Sequence, residues 1–279
     1  MLKRTITAII ILLVMLPVCL FADTWLLPIT IALCTLIAVY EMLGCVGTRK
    51  YKSIAVPAFV LAAVCPICAR LIKNTETFTS IYMIAAFFFC FILLSAGVFS
   101  RGKLEAEPLF ISFASLFYVI TSFTAIVLMA NRPFGMYFVI LTLFGPWISD
   151  VFAYLTGRFF GKHKLIPSVS PNKTVEGMIG GMLFTALLTV PYGAVLMRVV
   201  DDVQSANYIP LALAGAGLSA VSQIGDLIMS YVKRKYGIKD FGRLLPGHGG
   251  ILDRFDSVLA VAPFMLLLTE FQEYLQFFG

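Results

Sequence analysis

Residues 77–99 read TFTSIYMIAAFFFCFILLSAGVF, an apolar run without a charged side chain. A helix needs roughly 17–25 predominantly apolar residues to cross the hydrocarbon layer of a bilayer. Comparable runs recur along the chain, at about 5–22, 25–44, 54–71, 77–99, 109–130, 135–156, 177–197, 208–232 and 251–270. We therefore predict an all-α polytopic membrane protein with about nine transmembrane helices.

The composition excludes an ordinary soluble protein. Of the 279 residues, 60% are hydrophobic and 13% are charged, and the mean hydropathy is +0.94. A soluble domain carries about 25% charged residues. Helices are expected because lipid offers no hydrogen-bond partners, so each segment must satisfy its own backbone groups. No run shows the alternation typical of an outer-membrane barrel strand.

The first 24 residues, MLKRTITAIIILLVMLPVCLFADT, have two competing interpretations. Their basic start and apolar centre are compatible with a cleaved signal peptide. No clear small-x-small cleavage site follows, however, and a second apolar run begins within a few residues. We therefore expect the first helix to be retained.

Basic residues are distributed unevenly between the two sides that nine alternating spans would create. Sixteen of the 21 lysines and arginines fall in the loops of one side and four in those of the other, and Arg254 starts the ninth span. Because cytoplasmic loops are enriched in Lys and Arg, we predict a cytoplasmic N-terminus. The net charge of +6 then reflects topology and contacts with membrane lipids, so no nucleic-acid partner is expected.

The six cysteines do not indicate a metal or redox site. Cys65 and Cys68 form a CxxC, but it lies in an apolar run with no second ligand pair and no nearby His. Most of the other cysteines also fall inside apolar runs. We interpret them as small apolar packing residues.

Five acidic residues inside the predicted spans are the first candidates for a functional site: Glu41, Asp150, Asp226, Asp253 and Asp256. Ionisable side chains within a membrane are costly and usually mark a site. For any single one, a paired structural charge or a side chain that reaches to the interface is the alternative. All five lie toward the predicted cytoplasmic ends of their spans, and this shared depth favours a common function.

Local spacing groups these acids on helix faces. Asp226 and Ser230 are four residues apart, and Asp253 and Asp256 are three residues apart, so each pair shares a face. Carboxylates without a Cys or His cluster suit Mg²⁺, which uses few carboxylates together with water and substrate phosphates. These aspartates and Asp150 are therefore candidate Mg²⁺ ligands.

Residues 168–177, SVSPNKTVEG, open the seventh predicted span and form a candidate phosphate site. Free backbone N–H groups at a helix N-terminus favour phosphate, and a lysine adds positive charge. The alternative is an ordinary capped helix with Thr174 and Glu176 in its first turn. Three of the polar side chains are candidate substrate contacts: Ser170, Asn172 and Lys173.

Residues 233–250, KRKYGIKDFGRLLPGHGG, form the second candidate. The glycines permit a tight backbone and the close approach of a ligand. The five cations suit a polyphosphate or an anionic headgroup, although a solvated basic loop is the alternative. Because the loop runs directly into ILDRFD at residues 251–256, we predict a site.

From Ser230 to Asp256 the chain reads SYVKRKYGIKDFGRLLPGHGGILDRFD. The pattern S-x-V-K-R-x4-K-D-x-G-x2-L-P-x-H-G-G-I-x-D-R-F-D within it resembles the signature of the phosphatidate cytidylyltransferase family, also called CDP-diacylglycerol synthases, without a departure. Residues 150–154, 170–177 and 222–227 also resemble this family. The specific resemblance covers roughly residues 145–260, and the preceding part matches only as apolar helices.

The resemblance implies that the chain transfers CMP from CTP to phosphatidic acid, releases pyrophosphate and forms CDP-diacylglycerol for phospholipid synthesis. It implies Mg²⁺ as cofactor, with a second metal or a monovalent cation as a further option, and a homodimer. Phosphatidate is already anionic, so attack on CTP needs positioning and charge neutralisation rather than a general base. The expected location is the inner (cytoplasmic) membrane of the cell, with multiple spans and an active site facing the cytoplasm.

Carried onto this chain, the resemblance gives residue roles. The implied metal ligands are Asp226, Asp253, Asp256 and Asp150. The implied catalytic residues are Asp226, Asp253, Asp256 and Lys173. The implied substrate contacts are Ser170, Asn172, Lys173, Ser230, Lys233, Arg234, Lys239, His248, Gly249, Gly250 and Arg254.

We expect two regions. Residues 1–140 would supply about five spans as scaffold and lipid access, and residues 141–279 would form the catalytic membrane region with cytoplasmic loops 157–176 and 233–250. Two alternatives stay open. One is a related CTP-dependent lipid cytidylyltransferase or a polyprenol kinase, and the other is a cation-coupled secondary transporter with buried acids.

Overall fold

The computed structural model describes residues 13, 15–72, 74–245, 247 and 249–279. Half of the first predicted span, and His248 among the predicted substrate contacts, lie outside the described residues. The described elements are almost all helical: α1 Leu26–Val46, α2 Lys52–Leu71, α3 Thr75–Phe99, α4 Ala106–Ala130, α5 Gly135–Phe160, β1 Lys164–Ile166, β2 Ser170–Thr174, α6 Val175–Val199, α7 Tyr208–Lys235, α8 Leu252–Glu270 and α9 Gln272–Leu275.

Seven of these helices, α1–α7, are long and apolar enough to cross a membrane. They correspond to the second to eighth predicted spans, which confirms an all-α polytopic membrane protein. Helix α8 coincides with the ninth predicted span but carries four charged side chains in its 19 residues. The count of nine spans and the cytoplasmic N-terminus stay predictions.

The surface of α3 is typical of a helix that faces lipid. Its most apolar stretch of 18 residues has the highest mean hydropathy among the seven helices, at 2.4, yet only 11% of that stretch is buried. Large side chains such as Phe87 and Phe99 are exposed, Phe99 to 82%. A soluble protein rarely exposes a contiguous apolar surface of this extent. The chain is a multi-pass membrane protein.

The chain divides into two compact units. The first comprises the described residues as far as Asn131, together with residues 233–255. Within it α4 packs against α1, α2 and α3, and its core positions include Leu116, Phe123 and Ile126. The predicted division at residue 140 is a different partition and stays a prediction.

The second unit comprises residues 132–232 and 256–279. Its helices α5 and α6 pack closely because glycines face each other. A Cβ atom on Gly177 would lie 2.7 Å from the carbonyl oxygen of Ala153 and 3.2 Å from the Cα of Gly157. Small residues of this kind let transmembrane helices approach closely.

A β-hairpin precedes α6, where the sequence predicted only a loop. Strands β1 and β2 pair antiparallel, with Ile166 opposite Ser170 and Lys164 opposite Thr174. The strands have three and five residues, too short to leave a periodic pattern in the sequence. The interpretation of a capped helix is confirmed, because the Thr174 hydroxyl accepts a hydrogen bond from the Gly177 N–H at 3.1 Å.

Candidate functional site

Three charged side chains of the second unit form an acid–lysine cluster: Asp150 on α5, Lys173 on β2 and Asp226 on α7. Lys173 Nζ lies 2.5 Å from Asp226 Oδ2, and both side chains are about three-quarters buried. Asp150 is exposed on α5 and forms no ion pair with Lys173 among the described residues, but it is close enough for the charges of Lys173 and Asp226 to act on its carboxylate. The structure thus brings together three of the predicted site residues, with one cation among two carboxylates.

Polar contacts between helices hold this cluster in place. Ser149, directly before Asp150, hydrogen-bonds through its hydroxyl to that of Ser219 at 2.7 Å, which ties α5 to α7. The amide of Gln223 donates to the carbonyl of Met178 on α6 at 3.3 Å. Lys173 Nζ also donates to the main-chain oxygen of Gln223 at 3.4 Å. Three helices and the hairpin therefore fix the positions of the charged groups.

The hydroxyl of Ser222 is buried and has no hydrogen-bond partner among the described residues. An unsatisfied buried polar group costs about 1–3 kcal/mol, so such a group in a native structure calls for an explanation. Ser222 lies four residues before Asp226 on α7 and thus shares its helix face. Ser222 is not among the predicted site residues, although this spacing could have identified it.

The donors of the acid–lysine cluster fit Mg²⁺. Within the part of the chain that the structure describes, no three His, Cys, Asp or Glu side chains group as a metal cage. Mg²⁺ does not need such a cage, because it is bound by one or two carboxylates together with water and substrate phosphates. The carboxylates of Asp150 and Asp226 and the free hydroxyl of Ser222 are hard oxygen donors of the required kind.

Asp253, in the first unit, has a different environment. Its side chain is 2% exposed. Oδ1 lies 3.1 Å from Lys233 Nζ, and Oδ2 accepts hydrogen bonds from the main-chain N–H groups of Phe241 at 2.8 Å and Gly250 at 2.9 Å. Each carboxylate oxygen thus has a partner. Asp253 thereby joins the end of α7, the connection at residues 236–251, which we call the glycine-rich loop, and the start of α8.

Glycine is required where the loop passes Asp253. Gly249 has φ +83°, a left-handed conformation that side chains rarely adopt. A Cβ atom there would also lie 2.7 Å from Asp253 Oδ2. The predicted contacts Gly249 and Gly250 are therefore explained in the first instance by the fit of the backbone around this carboxylate.

Glu41 of α1 holds the start of α8. Its buried carboxylate accepts hydrogen bonds from the N–H groups of Ile251 at 3.1 Å and Leu252 at 2.9 Å. The first N–H groups of a helix have no partner within the helix, and the helix dipole favours a negative charge there. Cβ atoms on Gly242 or Gly250 would overlap Glu41. The sequence singled out Glu41 as an acid inside a span but not its partners, which are backbone groups.

The other predicted site residues are dispersed over both units. Ser170 and Asn172 lie on β2, and Ser230 is half-buried on α7. Asp256 is half-buried and accepts from the N–H of Ser257 at 2.8 Å. Arg254 is half-buried, and its Nε has no hydrogen-bond partner among the described residues. Two further cations are exposed: Arg234 and Lys239.

Comparisons with known proteins show similarity to one family over almost the whole chain. A model of the cytidylyltransferase family matches residues 2–272. The chain is 38% identical over 266 residues to the phosphatidate cytidylyltransferase of Staphylococcus haemolyticus, covering 95% of this chain and 97% of that protein. Proteins of the same name from Staphylococcus saprophyticus and Staphylococcus aureus are 36% and 37% identical over the same lengths.

Proposed function

The chain belongs to the cytidylyltransferase family, and we propose that it transfers CMP from CTP to phosphatidic acid. The products are pyrophosphate and CDP-diacylglycerol, an intermediate for phospholipid synthesis. The predicted CTP-dependent enzyme is thereby confirmed over the alternative of a transporter. The observation that carries the chemistry is the acid–lysine cluster, in which Lys173 pairs with Asp226 and Asp150 lies within electrostatic range of both.

The reaction makes one P–O bond and breaks one. A phosphate oxygen of phosphatidate attacks the α-phosphorus of CTP, and the bond from this phosphorus to the oxygen of the β-phosphate breaks. Such transfers depend mainly on positioning and on neutralising charge, since the protein has little covalent chemistry to do. Lys173 supplies a positive charge for the phosphates of CTP, with its Nζ oriented by Asp226 and the Gln223 carbonyl.

We assign the Mg²⁺ ligands to Asp226, Asp150 and Ser222. Mg²⁺ bound to these oxygens would offset the repulsion between the two anionic substrates and stabilise the departing pyrophosphate. Asp256 is retained as a ligand for a second metal or a monovalent cation. Asp253 already has a partner on each oxygen, so we assign it to holding the glycine-rich loop.

The proposed orientation in the membrane follows from where the two substrates are found. CTP is water-soluble, whereas the headgroup of phosphatidate lies at the bilayer interface. The uneven distribution of basic residues supports a site that opens to the cytoplasm, where CTP is available. We further propose that the enzyme works as a homodimer in the cytoplasmic membrane, as the resemblance to its family implies.

The proposed function is tested with the purified full chain in lipid nanodiscs. Given CTP, Mg²⁺ and phosphatidate, it is expected to release pyrophosphate and CDP-lipid in equal amounts, and a chelator is expected to abolish both. Diacylglycerol and polyprenol are expected not to act as acceptors, because neither carries the attacking phosphate. Phosphorylation of a polyprenol without formation of a CDP-lipid would contradict the proposal.

Removal of the positive charge of Lys173 is expected to impair the reaction with CTP. Lys173→Met should lower kcat/KM for CTP by about 10–100-fold, since a hydrogen bond to a charged group contributes about 1.5–3 kcal/mol. The KM for phosphatidate should change little. Lys164→Met, which removes an exposed lysine from β1 of the same hairpin, is the matched control. Equal losses in both variants would refute the assigned role of Lys173.

A further inference from the structure

A groove of about 600 Å³ runs along the first unit between α1, α2 and the segment 241–244. We call it the α1–α2 groove. None of the acid–lysine cluster contributes to its lining, which comes entirely from the first unit. The reaction proposed above assigns no role to the α1–α2 groove.

Part of the lining of this groove is apolar and lies away from the helix ends. Leu36 and Ile37 of α1 and Phe59 of α2 line it, and all three are only half-buried. At 1.5 Å per residue, Leu36 lies roughly 15 Å from the end of α1 at Val46, and Phe59 lies about 10 Å from the start of α2 at Lys52. The groove therefore extends from the helix ends well into the apolar part of the spans.

The mouth of the groove is cationic. The guanidinium of Arg49 is stacked 4.1 Å from the ring centroid of Tyr40, which holds it at the opening. Arg243, in the glycine-rich loop, is the second cation and is exposed. The carboxylate of Glu41 also lines the groove, but each of its oxygens accepts from a main-chain N–H of α8. Among the described residues, neither arginine forms an ion pair with a carboxylate.

We propose that the α1–α2 groove binds phosphatidate, with its phosphate against Arg49 and Arg243 and an acyl chain along Leu36, Ile37 and Phe59. This inference rests on the proposed function and specifies where the acceptor lipid is held. A phosphate monoester complements two arginines, which bind phosphate in a forked geometry. CTP has no long apolar part to fill the apolar end of the groove. An acyl chain fills it without burying a polar group.

A second groove, lined by α2, α3 and residues 100–104, has a similar size and two cations, Arg101 and Lys103. The α1–α2 groove is preferred because part of its wall is the glycine-rich loop. Phe241 in that wall is hydrogen-bonded through its N–H to Asp253. Binding of a phosphate at Arg243 would thus act directly on the loop that the family signature covers. The second groove provides an internal control.

The test combines cross-linking with kinetics in nanodiscs. A phosphatidate with a photoactivatable group in mid-chain is expected to label peptides of α1 and α2 around Leu36 and Phe59. Unlabelled phosphatidate should compete, whereas phosphatidylcholine and phosphatidylglycerol of the same chains should not. The double variant R49Q/R243Q should lose at least about 10-fold in labelling, as expected for the loss of charge-assisted hydrogen bonds.

The same variant should raise the KM for phosphatidate by about 10–100-fold and leave the KM for CTP unchanged. Lys50→Gln, which removes the neighbouring charge outside the groove, and Arg101→Gln, in the second groove, are the controls. Thermal melting of each variant verifies folding, and R49K/R243K should recover part of the labelling.

The assignment of the groove and the proposed enzymatic function can be refuted separately. If wild type forms CDP-lipid but R49Q/R243Q keeps its KM for phosphatidate, or if the label falls in the second groove, the inference is overturned and the function stands. Equal competition by phosphatidylglycerol would make the groove a general anionic-lipid site and overturn its assignment to the substrate. If wild type forms no CDP-lipid, the proposed function fails, whatever the label shows.

Discussion

Asp226→Asn is expected to reduce CMP transfer by roughly 100-fold or more, with the protein still folded and inserted. The substitution keeps the shape of the side chain and removes its charge. It deprives Lys173 of the carboxylate 2.5 Å from its Nζ and removes a hard oxygen donor from the proposed Mg²⁺ site. Because the amide is a poor ligand for Mg²⁺, raising the metal concentration should recover only part of the activity.

The measurement is the initial rate of pyrophosphate release at saturating CTP and phosphatidate, over a series of Mg²⁺ concentrations. Asp201→Asn is the matched control, since Asp201 is an exposed carboxylate in the connection between α6 and α7 of the same unit. That variant should keep near wild-type rates. Retention of more than about a tenth of wild-type activity by Asp226→Asn, at ordinary Mg²⁺, would refute the assignment of Asp226 to the metal.

Asp253→Asn is expected to abolish activity for another reason, a loss of local structure. Asp253 is 2% exposed, and its partner Lys233 is 12% exposed. Breaking a buried ion pair by removing one partner costs about 3–5 kcal/mol, because it leaves an uncompensated charge. The new amide would also present either a donor or a weaker acceptor to the N–H groups of Phe241 and Gly250. The melting temperature in detergent should therefore fall together with activity.

A double-mutant cycle separates the two roles open to Asp253. Lys233→Met removes the buried charge that faces residue 253, so Asp253→Asn combined with Lys233→Met should regain stability relative to Asp253→Asn alone. Activity should not return, since the loop still lacks its acceptor. Asp240→Asn, in the exposed part of the same loop, is the control. An unchanged melting temperature with full loss of activity would instead support Asp253 as a direct metal ligand.

The membrane architecture could be predicted because its signal extends over long stretches. Runs such as residues 77–99 are long enough to span a bilayer whatever their neighbours are, and eight of the predicted spans coincide with described helices, seven of which are long and apolar enough to cross a membrane. The hairpin β1–β2 left no such signal. Its three and five residues form a sheet only through their pairing, which short segments do not reveal in sequence.

The candidate site could be predicted in part. Their places at the ends of predicted spans, and the resemblance of residues 150–154, 170–177 and 222–227 to the family, singled out Asp150, Lys173 and Asp226, and the structure pairs Lys173 with Asp226. The sequence could not separate Asp226 from Asp253, because each is a carboxylate near the end of a span. Their difference arises from burial and from backbone donors: Asp253 accepts from two main-chain N–H groups, and Asp226 faces a lysine. Main-chain partners of this kind leave no recognisable pattern of side chains in the sequence.

The contact between Glu41 and the start of α8 has a consequence for biosynthesis. It joins groups 210 and 211 residues apart in the chain. A membrane protein is inserted from its N-terminus during translation, so the carboxylate of Glu41 enters the nascent bundle long before the N–H groups of Ile251 and Leu252 exist. Until then it must be protonated or exposed to water. The first unit therefore reaches its final state only when translation is almost complete, and a polypeptide truncated before residue 251 retains an acid without its natural partners.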